Sequence, residues 1–135
     1  MNVKRIAVVL VFLVVGSVVA GTFQSTPIAG MSDAQRTALG IAFSTPVGIA
    51  VFALVASTFD TDGYLADRSW AGKFGDLVFV ELAAVIGALA TATALEGTIP
   101  SAAGWVGAGL GYFLAFFTFL WRAGEYNETP ARDEE

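Results

Sequence analysis

The segment FGDLVFVELAAVIGALATATAL, Phe74 to Leu95, is long and apolar enough to cross a bilayer, and it carries one carboxylate, Glu81, inside it. A spanning helix needs roughly 20 mostly apolar residues, and an ionisable group within such a stretch is costly unless it is protonated, paired or reached by water. Glu81 follows Asp76 by five positions, so at about 1.5 Å per residue it lies roughly 8 Å deeper along the helix, short of the bilayer centre.

Three further segments of the same kind flank this one: Ile6 to Phe23, Thr37 to Thr58, and Ala102 to Trp121. The connections are short and polar, containing QSTPIAG (24–30), DTDGYLADRSWAGKFG (60–75) and EGTIPS (96–101). Connections of that length join antiparallel neighbours. The sequence therefore predicts an all-α, integral membrane four-helix bundle of up-down topology in one transmembrane domain, residues 1–122. The polar, acidic stretch AGEYNETPARDEE (123–135) is expected to be a disordered cytoplasmic tail.

Direction follows from the basic residues, because Lys and Arg near helix ends resist translocation. Lys4, Arg5, Arg68, Lys73, Arg122 and Arg132 fall on one side of this threading and only Arg36 on the other. Both termini are thus expected in the cytoplasm, in a multi-pass protein of the cell membrane. Trp105 and Trp121 bracket the fourth segment, where amphipathic rings favour the headgroup layer. The first segment has a second reading: a basic start, an apolar run and Val18-Val19-Ala20 before Gly21 also describe a cleavable signal peptide, whose loss would leave three crossings.

Composition narrows the chemistry. The chain of 135 residues is 56% hydrophobic and contains neither Cys nor His, which excludes disulfides, thiol redox chemistry and the usual zinc and haem ligand sets. No cofactor or metal is expected. Twelve acidic residues against seven basic ones leave a net charge of −5 and no basic patch for a nucleic acid. An acidic, lysine-poor surface suits a salt-rich cytoplasm and points to a salt-loving, archaeal source.

Small residues set the expected packing, since lipid is as apolar as leucine and membrane helices associate where backbones approach closely. Gly104, Gly107, Gly111, Ala115 and Thr118 recur at three- and four-residue spacing on one face of the fourth segment, and the bulky Leu110, Phe113, Phe117 and Leu120 lie elsewhere. Glu81, Ala84, Ala88 and Ala92 share a face of the third, which predicts pairing of these two helices across the EGTIPS turn. Gly107 and Gly111 also fit a homodimer motif; packing within the chain is the preferred reading. Gly40, Ser44 and Gly48 form a similar groove on the second segment. There Pro46, within FSTPVG (43–48), predicts a mid-helix kink, with the freed carbonyl taken by Ser44, Thr45 or a neighbouring helix.

Two helix starts are legible: SDAQ (32–35) is a capping box, and Ser101 after Pro100 is expected to cap the fourth helix. DTDG (60–63) lacks the sixth-position Gly and closing Glu of a calcium loop and reads as a turn. Asn127 begins a glycosylation sequon that the threading puts on the cytoplasmic side. Trp70 and Tyr64 are expected at the membrane interface, in the loop that offers the best surface for a soluble partner.

Glu81 is the one candidate functional group, with Thr118 as its expected hydrogen-bond partner at similar depth. Nothing resembles a nucleophile, metal cluster or phosphate loop, so the expectation is a non-catalytic accessory or assembly subunit, with the bilayer and other membrane-protein subunits or a second copy of the chain as partners. The alternative is a proton- or cation-coupled small transporter or channel using Glu81.

Overall fold

The computed structural model describes residues 3–127, with only the backbone of Lys4 and Arg5, and all regular structure among the described residues is helical. The helices are α1 (Val3–Ser25), α2 (Asp33–Ala42), α3 (Thr45–Val55), α4 (Thr61–Asp67), α5 (Trp70–Leu95) and α6 (Pro100–Arg122), followed by a 3-10 turn at Gly124–Tyr126. Four of the resulting stretches, Ile6–Ser25, Asp33–Val55, Trp70–Leu95 and Pro100–Arg122, are long and apolar enough to cross a membrane, the mark of a multi-pass membrane protein.

The second of these is broken. Pro46 does not kink a continuous helix; it stands in the first turn of α3, and the break falls before it at Phe43 and Ser44. Proline is tolerated in a first turn because the amide it lacks would be unpaired there in any case. The carbonyl of Ala42, which Pro46 leaves without its helical donor, accepts the hydroxyl of the fully buried Thr45. Ser44 Oγ bonds both Ile41 O at 2.6 Å and Tyr112 Oη at 2.7 Å, which ties the break to α6.

Helix ends follow their caps. Ser32 and Gln35 form the expected capping box, and the Gln35 amide reaches on to Thr93 Oγ1 at 3.0 Å, pinning the start of α2 to α5. Residue 101 is not a cap: α6 begins at Pro100 with Ile99 before it and no side-chain cap. Ser69 accepts from Gly72 N, so α5 begins at Trp70, four residues before the apolar run. DTDG becomes the start of α4, where Asp60 accepts from Gly63 N at 2.9 Å.

The close pair is α5 with α6. A Cβ on Gly107 would stand 2.5 Å from Ala88 O, and one on Gly111 2.5 Å from Ala84 O, so only hydrogen side chains permit this approach. Ala84, Ala88, Ala92 and Ala115 are fully buried in it. Gly104 departs from the expected pairing: its Cβ would meet Ala34 O at 2.7 Å, so it seats α6 on α2. Gly40 brings α2 against Ala20 of α1, and the Phe23 and Phe43 rings stack at 4.7 Å beside it. Leu110, Phe113 and Phe117 point outward, whereas Leu120 packs against the core.

The connection between α3 and α5 folds inward. Phe59, only 5% exposed, packs on Tyr64 and Phe119, and Tyr64 packs edge-on against Tyr126. Asp60 N donates to Tyr126 O at 2.8 Å, so the beginning of the expected tail is folded back onto this loop. Residues 128–135, the remainder of the tail expected to be disordered, lie outside the described residues.

Candidate functional site

Two acids on α5 have opposite fates. Asp76 is 1% exposed and fully partnered: Oδ1 accepts from Arg68 Nη2 at 2.9 Å and Arg122 Nε at 2.8 Å, and Oδ2 from Arg68 Nε and the Tyr64 hydroxyl, both at 3.1 Å. The Arg68 fork is bidentate, the geometry that makes guanidinium and carboxylate a strong and oriented pair. Arg68 also bonds Glu125 Oε1 at 3.1 Å and Arg122 O at 3.3 Å, and the Arg122 guanidinium lies 4.4 Å from the Phe79 ring centre. This cluster clasps α4, α5, α6 and the 3-10 turn together at one end of the molecule.

Electrostatics around the clasp follow from its burial and charge. Burial, then the negative charge of Asp76, pushes the Tyr64 hydroxyl up to about 12, so it stays a donor at any ordinary pH. The hydrogen bond to Asp76 holds the Arg68 guanidinium still more firmly protonated. Tyr64 is therefore not an interface ring; it turns inward, while Trp70 remains 75% exposed.

Glu81, somewhat over one turn further along α5, is half-buried and has no such company. Both carboxylate oxygens are buried, and neither meets a hydrogen-bond partner among the described residues. The residue lines a crevice of about 410 Å³ with Phe43 and Pro46 from the α2–α3 break and Leu77, Val78 and Leu82 from α5. Thr118 does not serve it. Its hydroxyl donates to Leu114 O at 2.7 Å, the back-bond to the preceding turn that satisfies a threonine inside a helix. Ala84, Ala88 and Ala92 are buried against α6 as expected, but Glu81 at the end of their row borders the break instead.

The structure thus brings Glu81 together with Pro46, a pairing the sequence did not suggest, and leaves it without the hydrogen bond expected from Thr118. The Asp76 clasp was not foreseen either. Its signal lay in the threading, which put Arg68 and Arg122 on the same side as an acid in the first turns of the third segment.

Among the described residues no group of three or more His, Cys, Asp or Glu stands close enough to hold a metal ion. No protein-family model, no curated protein and no solved structure matches the chain.

Proposed function

We propose that this chain is an up-down four-helix protein of the cell membrane, both termini cytoplasmic, that serves without catalysis as an accessory or assembly subunit of a membrane complex. The observation that carries the reading is Glu81: a carboxyl group buried within a spanning helix, without a hydrogen-bond partner among the described residues, lining a crevice with apolar walls. An unsatisfied polar group at that depth is costly, and a hydroxyl, amide or basic group on a neighbouring helix relieves the cost. A partner subunit or a second copy of the chain seated in the crevice supplies it.

The α2–α3 break favours a second reading. Interrupted helices facing an intramembrane acid are where transporters hold coupling ions, and Glu81 borders such an interruption. A proton- or cation-coupled transporter or channel uses the same carboxyl differently, and substitutions separate the two.

The chain has no cysteine, so Leu82→Cys places a single thiol at the crevice rim. Crosslinking in native membranes should join it to a partner helix; Glu81→Gln, which keeps the hydrogen-bonding capacity, should preserve the product, and Glu81→Leu should abolish it. Proton or cation flux through liposomes that disappears in Glu81→Gln with melting unchanged would overturn the accessory reading in favour of the transporter. The threading is checked separately: Ser69→Cys should react with an impermeant thiol reagent only from the cytoplasmic face and Thr98→Cys only from outside. Labelling of either from the wrong side ends the orientation.

A further inference from the structure

A second cavity of about 410 Å³ opens beyond Pro46 and Leu77, between α3 and α5. Its walls are apolar, formed by Ile49, Ala50 and Leu54 of α3 and by Val80 of α5, with Phe12 of α1 across from them. The volume lies in the range of ligand sites, about 300–1,000 Å³. Apolar cavities stay dry in water, and in a bilayer the molecules at hand to fill one are hydrocarbon chains.

The cavity is not apolar throughout. At the α4 end it is bounded by Tyr64, Asp76 and Lys73. The first two satisfy one another within the clasp, where two guanidinium groups offset the one carboxylate. Lys73 is different: its ammonium donates to Leu65 O and pairs with no carboxylate among the described residues. The acids of α4, Asp62 and Asp67, do not line the cavity. Beside Lys73, Trp70 and Phe74 are both exposed with rings 5.5 Å apart, an arrangement suited to the headgroup layer. Lys73 therefore stands at headgroup level, and the apolar cavity runs from it toward the membrane interior.

We propose that this cavity holds one acyl chain of an anionic phospholipid, with Lys73 binding its phosphate. The chain lies along Ala50 and Val80, and the ammonium supplies the donors that the phosphate oxygens accept. The break before α3 makes the site by letting α3 stand away from α5, while α4, held by the clasp, borders its headgroup end beside Lys73.

The test is native mass spectrometry of the full chain released from mild detergent, with phosphatidylglycerol, phosphatidylcholine or soluble glycerol phosphate added. Wild type should retain phosphatidylglycerol about five-fold over phosphatidylcholine, the factor equivalent to the ~1 kcal/mol that one Lys contributes near anionic headgroups. Lys73→Gln should remove that preference and keep chain binding, and Ala50→Phe, which fills the cavity, should lose both lipids. Glycerol phosphate should neither bind nor compete; competition by it would replace the lipid site with a free-phosphate site and overturn the proposal. Undiminished phosphatidylglycerol on a normally melting Ala50→Phe variant would do the same. Should that variant not fold, wild type with a phosphatidylglycerol carrying a photoreactive group midway along its chain decides: label concentrated in 49–54 and 77–80 supports the site, and label spread over the outer faces of α1 and α6 refutes it.

Discussion

The α5–α6 contact yields a prediction in which one helix supplies both the perturbation and its control. In Gly111→Ala the new Cβ would stand 2.5 Å from Ala84 O, 2.9 Å from Ala88 Cβ and 3.2 Å from Ala88 N. A carbon next to a carbonyl oxygen is comfortable at about 3.3–3.6 Å, so the shortfall is about 1 Å. Two of the three obstacles are backbone atoms, which no rotamer change removes, so the helices must separate along the row that Ala84 and Ala88 bury. Overpacking of this kind costs about 1–3 kcal/mol. In Gly109→Ala the same methyl meets nothing within 4 Å, and replacing glycine in a helix interior stabilises by about 0.5–1 kcal/mol. The helix-interior gain is common to both variants, which are identical in composition, so they should differ by the overpacking cost of about 1–3 kcal/mol, with Gly111→Ala the weaker. Thermal unfolding of both in one mild detergent, followed by circular dichroism, measures the difference. Coincident midpoints, or Gly109→Ala melting first, would show that the close helix approach is not what holds the bundle.

The clasp supplies two more expectations. Asp76→Asn keeps the shape but leaves two arginines without their counter-charge; removing one partner of a buried pair costs about 3–5 kcal/mol, and because the arginine side chains remain 21% and 23% exposed the loss should be nearer 2–3, clearly larger than for Arg122→Gln, which leaves the bidentate Arg68 pair intact. Equal melting of Asp76→Asn and wild type would remove the clasp as a structural element. For Tyr64, whose hydroxyl is raised from 10.0 to about 12, the stabilisation is fully present below pH 10 and is lost as pH rises from there through about 12, because the unfolded chain ionises first. The tyrosinate absorbance difference between wild type and Tyr64→Phe should thus report a group titrating near 12, and a difference centred at 10 while the fold persists would contradict its burial against Asp76.

The residues show which features are local. The apolar runs, the small-residue row of α6 and the Ser32–Gln35 capping box are written in neighbours one to four positions apart, and each depends on helix periodicity or on a side chain reaching its own backbone. Such features are legible without the fold, and from them came the four membrane-crossing stretches and the pairing of Ala84, Ala88 and Ala92 with Gly107 and Gly111. Local rules also named Pro46 as a disruption and Thr45 as a donor to the freed carbonyl, but not the bond from Ser44 to Tyr112 that ties the break to α6.

What joined distant segments was decided by the tertiary structure alone. Asp76 meets Arg122 from 46 positions away because α6 ends level with the start of α5, and it meets Arg68 because α4 folds inward. Gly104 seats on α2 and not on α5, because a small residue specifies close approach without specifying what approaches. Glu81 and Thr118 were placed together by depth, yet depth along two helices says nothing about rotation around them. In the fold Glu81 borders the break and Thr118 bonds its own helix. Periodicity fixes which face of a helix is small, apolar or polar; only the packing of all the helices at once determines which faces meet.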